Sequence, residues 1–111
     1  MMNVYDKAYE LTKAIKESNE YADCKAAALA IQADEEGKRM LDDFRSQQLE
    51  LQQRLMNGES PSSDEMDRMQ KRFEILNMNP NIQRIFEAER RLGVIVEDVN
   101  RIIMEPLKDV L

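Results

Sequence analysis

The chain has 111 residues, 34% of them charged, with a net charge of −6 and a pI near 4.7. That length suits one domain, expected over 1–111, and the acidity argues against direct nucleic-acid binding, which needs Lys and Arg to neutralise phosphates. A single cysteine and no histidine exclude an internal disulfide, a Cys-rich metal site and catalysis with a histidine base.

Five helices are expected, over 3–17, 19–33, 34–57, 62–77 and 80–104. Val4, Ala8, Leu11 and Ile15 repeat at helical spacing and give the first helix one apolar face. "SNE" interrupts it, with Ser18 or Asn19 able to cap the Ala-rich second helix. Tyr21, Cys24, Ala28 and Ile31 share a face there, so Cys24 is expected as a packing residue rather than a reactive thiol. Asp34 is the expected N-cap of the third helix, with Glu35 and Glu36 favourably placed in its first turn. Its stripe is Leu41, Phe44, Gln48, Leu51 and Leu55, and Asn57-Gly58 provides a left-handed ending.

"SSDE" offers a capping box from Ser62 to Glu65. Met66, Met69, Phe73 and Leu76 then form a stripe in which both methionines are expected as core, whereas Met40, Met56, Met78 and Met104 suit surface contact. Asn79 caps the last helix and Pro80 occupies its first position. That helix carries two adjacent stripes. One is Ile85, Ala88, Leu92, Ile95, Val99 and Ile102; the other is Ile82, Phe86, Val96 and Ile103, interrupted by Glu89 and Gly93. "GVIV" favours a strand locally, but the helical period around it lasts about six turns and decides for helix.

Acids precede bases by four residues at Glu35–Arg39, Glu50–Arg54, Asp64–Arg68, Asp67–Lys71, Glu87–Arg91 and Glu97–Arg101. Each such pair on a helix is worth about 0.2–0.5 kcal/mol and describes a solvated outer face. "IQADEEGKRMLDDFRS" and "LNMNPNIQRIFEAERR" echo one another, pairing Asp34 with Asn79 and Arg45 with Arg90, mostly through shared helix grammar.

Two stripes on one helix imply contact on two sides. Ile85, Phe86, Leu92, Gly93, Ile95, Val96, Val99 and Ile102 are therefore the candidate face for self-association or a partner. Gly93 serves a close helix crossing or is tolerated drift. Glu89 either forms a buried polar pair with Arg45 or lies at the stripe's edge and reaches water. No catalytic, metal or cofactor site is expected: "DEEG" lacks a calcium loop's alternating ligands, and no glycine-rich phosphate loop is present. No apolar run approaches a membrane span, and the charged start is unlike a signal peptide, so a cytoplasmic protein is expected.

"NVYDKAYEL", "ADEEGKRMLDDFRSQQLELQQRLMNGE" and "EAERRL…IIMEPL" together resemble the YlbF/YmcA family of small bacterial helical proteins, closest to its YheA-like branch. The resemblance spans nearly the whole chain. It implies an all-α fold of long antiparallel helices, association into dimers or larger oligomers, and a non-enzymatic adaptor or regulatory role. It also implies the alternative of an RNA-processing accessory factor that acts through an endoribonuclease partner. A carboxylate-based metal protein is the remaining class. Better-known branches are linked to iron–sulfur clusters through cysteines; with only Cys24, no cluster ligand carries over.

Overall fold

A computed structural model describes residues 3–111. The helices are α1 (Val4–Lys16), α2 (Asn19–Gln32), α3 (Glu35–Met56), α4 (Ser63–Leu76) and α5 (Pro80–Met104), followed by a short 3-10 turn at Glu105–Leu107. Among the described residues there is no strand, and "GVIV" lies inside α5. Every helix boundary falls within a residue of its expected place.

The local chemistry explains this agreement. Asn3 Oδ1 accepts the Tyr5 and Asp6 amides at the start of α1, and Ser18 Oγ accepts the Tyr21 amide at the start of α2. Asp34 accepts the Gly37 amide at 2.9 Å, and Asn79 accepts those of Asn81 and Ile82. Each cap satisfies donors that the first helical turn leaves without partners. At the end of α3, Gly58 adopts φ +83°; its amide donates to the Leu55 carbonyl, and the Glu59 amide donates to Arg54. This is the Schellman arrangement, and its left-handed residue favours glycine. The expected capping box forms only by half. Ser62 Oγ accepts the Glu65 amide, but the Glu65 carboxylate turns to Arg54 on α3.

The chain packs as two compact units: the described residues of Met1–Ala28 with Ile85–Leu111, and Leu29–Arg84. In the second, Ile31, Leu41, Leu76 and Ile82 are buried. α3 and α4 run antiparallel, because Phe44 meets Phe73 with ring centroids 6.1 Å apart while Arg54 meets Glu65 nearer the turn. The N-terminal ends of α3 and α5 are tied by Asp34, whose Oδ2 accepts from Asn79 Nδ2 at 3.2 Å and Asn81 Nδ2 at 3.0 Å. The two N-caps aligned by the sequence echo thus touch. Gly37 is buried beneath this knot; a Cβ there would lie 2.5 Å from Asp34 Oδ2.

In the first unit Ala27, Ile85 and Ala88 are buried, and α1 has no buried residue. Arg91 reaches Asp23 on α2 at 4.0 Å. Cys24 is half-buried rather than fully packed. Its thiol pKa is pushed up by desolvation and by the nearby Glu89 and Asp23 carboxylates, a direction that disfavours the reactive thiolate.

Candidate protein-contact site

The α5 stripe divides along its length. Ile85 is buried; Phe86, Leu92, Gly93, Ile95 and Val99 are half-buried; Val96 and Ile102 are exposed, Ile102 at 66%. After Ala88 no α5 residue is buried, although the apolar spacing continues to Ile103. Gly93 has nothing within 4 Å of where a Cβ would stand, so it does not mark a close helix crossing within the chain.

Glu89 and Arg45 are both exposed, which fits the reading of Glu89 at the stripe's edge rather than in a buried pair. Among the described residues no charged or polar side chain is buried, in keeping with the cost of taking an ion out of water. Glu89 thus sits where the stripe reaches solvent. Several ion pairs lie on the surface. Glu87 takes both Arg90 (2.6 Å) and Arg91 (3.2 Å), and the Arg90 contact first of all holds its carboxyl below the ordinary range. Of the pairs read from spacing, Glu87–Arg91 forms; Arg101 instead meets Asp98, and Arg54 meets Glu65 and Glu59.

A second apolar surface lies on the α3–α4 pair, where sequence reasoning expected core. Met66 is 58% exposed, and Met69 and Phe73 are exposed too. With Phe44 and Leu51 they floor an open groove of about 680 Å³. Glu50 and Arg54 stand on its α3 lip, Glu65, Arg68 and Arg72 on its α4 lip. Arg54 closes one end, donating to Glu65 at 2.8 Å and Glu59 at 3.1 Å, and the Arg54 bond lowers the Glu65 pKa. Apolar spacing alone does not tell this groove from a covered core. Two antiparallel helices with one stripe each cannot cover both stripes, so a third layer or a partner is required.

Among the described residues no group of three carboxylate or cysteine side chains could hold a metal. No described helix is long and apolar enough to cross a membrane.

A family described as "Control of competence regulator ComK, YlbF/YmcA" matches residues 4–108. The chain belongs to the YlbF/YmcA family. A UPF0342 protein from Alkalihalophilus pseudofirmus is 47% identical over 110 residues, covering 99% of this chain and 93% of the relative. Another from Halalkalibacterium halodurans is 42% identical, covering 99% and 95%. Among solved structures, yheA from Bacillus subtilis superposes with a TM-score of 0.74 at 30% identity, covering 99% of this chain and 100% of the other. A protein of unknown function (DUF964) from Bacillus stearothermophilus superposes with a TM-score of 0.86 at 27% identity, covering 96% and 94%. This YlbF/YmcA member is therefore YheA-like in sequence and in fold.

Proposed function

We propose that this YlbF/YmcA protein is a non-catalytic adaptor or regulatory factor that self-associates, most simply as a dimer, and works by docking helix faces. The observation that carries the reading is the α5 stripe, which keeps its apolar spacing to Ile102 and Ile103 well past the last buried residue, Ala88. Apolar anchors at i, i+3, i+4 and i+7 are what helix-in-groove recognition uses. The regulatory description of the family supports the same reading.

Affinity co-purification of the tagged chain from a native bacterium, with and without nuclease, tests it. A stoichiometric protein partner that survives nuclease and is lost with Ile102→Glu is expected. A partner lost on nuclease treatment would favour the RNA-processing alternative. Recovery of the chain alone would overturn the adaptor reading. Ile95→Asp, at a half-buried position of the same stripe, is expected to lower the melting temperature or weaken partner capture. An unchanged melt and unchanged partner capture would count against this role for the stripe.

A further inference from the structure

The α3–α4 groove has an apolar floor and an arrangement of charges that complements itself. Moving inward from the Arg54–Glu65 bridge by about one helical turn, Glu50 stands on the α3 lip and Arg68 on the α4 lip. The open groove lies between them, and neither forms a salt bridge among the described residues. An acid and a base at matching levels on opposite lips are what a two-fold contact needs, because in such a contact residue i meets j of the copy while j meets i. Turned about an axis along the arm, a second copy lays its α4 over this α3. Glu50 then faces Arg68 of the copy, and Arg68 faces its Glu50.

We infer that the α3–α4 arm is where two copies of this chain meet, closing Leu51, Met66, Met69 and Phe73 into a four-helix bundle. The area is of the right order. α4 has 14 residues and so is about 21 Å long, and two helices side by side are roughly 20 Å across. Two such faces come to roughly 800 Å² in plan, and side-chain relief brings this toward the ~1,200 Å² at which specific interfaces begin. The floor's two methionines are adaptable enough to interdigitate with copies of themselves. The inference rests on the protein-contact reading above and divides its surfaces: the second copy takes the arm, and the α5 stripe is left for a different protein.

The test is sedimentation equilibrium on the full chain, with circular dichroism confirming that each variant stays helical. The unmodified chain is expected to be a dimer at micromolar concentration. Glu50→Arg makes both lips basic and Arg68→Glu makes both acidic, so each variant alone should dimerise about tenfold more weakly or worse. Mixed in equal amounts, the two should recover a one-to-one heterodimer of the original strength, since each lip then meets its opposite. A monomeric unmodified chain would overturn the inference. So would single variants that dimerise normally, or a mixture that fails to recover. A dimer broken by Ile102→Glu but untouched by Glu50→Arg would move the contact to α5. Partner capture through α5 is read separately by co-purification, so loss of either result leaves the other standing.

Discussion

On α3 the apolar stripe passes from Leu41, 2% exposed, to Leu55, 50% exposed; on α4 it passes from Leu76, 4% exposed, to Met66, 58% exposed. The base and the tip of this arm carry the same spacing of the same residue types, yet only the base is core. At the base, Ile31 and Ile82 are buried in the same unit as the two helices. Toward the tip their facing stripes open into a groove lined by residues of α3, α4 and Pro61. Helical period names the face that must be covered. Chain connectivity decides whether the chain itself covers it.

The sharpest way to break this comparison is to truncate one residue from each end. Leu41→Ala should cost about 2–5 kcal/mol, the usual range for emptying a fully buried leucine site. Met66→Ala should cost under about 1 kcal/mol at low protein concentration, because its side chain already meets water. Urea unfolding of the two variants measures both values. Equal losses would show that the tip is as well packed as the base.

A smaller effect separates two glycines by what surrounds them. Replacing glycine by alanine inside a helix normally stabilises it. At Gly37 the new Cβ would stand 2.5 Å from Asp34 Oδ2 and 3.0 Å from Asn79 Nδ2. Gly37→Ala should therefore lower the melting temperature by a few degrees as the cap is pushed aside. A raised melting temperature would show that the knot gives way freely.

The same knot sets an acid sensitivity at the base. Hydrogen bonds from Asn81, the Gly37 amide and Asn79 hold the Asp34 carboxyl below its ordinary pKa. A depressed carboxyl contributes stability that is present above its unfolded pKa and is lost as pH falls through the folded value. Melting temperature should fall as pH drops below about 5, and Asp34→Asn, which keeps a capping oxygen, should flatten that fall. A variant whose melting temperature falls as steeply as the parent's would remove Asp34 from the account.

The helices and their caps were legible because each boundary is made by residues adjacent in sequence: Asp34 with Gly37, Ser62 with Glu65, Gly58 with Leu55. The groove was not, because Met66 and Met69 have core spacing whether or not a third layer covers them. Glu65 was read as closing a capping box, but the hairpin brings Arg54 across to it, and a bond to a charged partner outweighs one to an amide. Glu89 could have gone inward or outward on spacing alone. Its exposure follows from the cost of burying charge.

Gly93 offers the smallest effect and a use as a probe. Its surroundings within the chain are empty to 4 Å, so Gly93→Ala should recover about 1 kcal/mol of helix propensity and raise the melting temperature. That gain belongs to the chain alone. If another protein crosses α5 closely at this point, the added methyl group meets it, and affinity falls while the melting temperature rises. Opposite signs from calorimetry of the variant and from its partner capture would place a helix crossing at Gly93. Gains in stability with capture unchanged would leave the glycine as drift and confine the contact to the exposed end around Ile102.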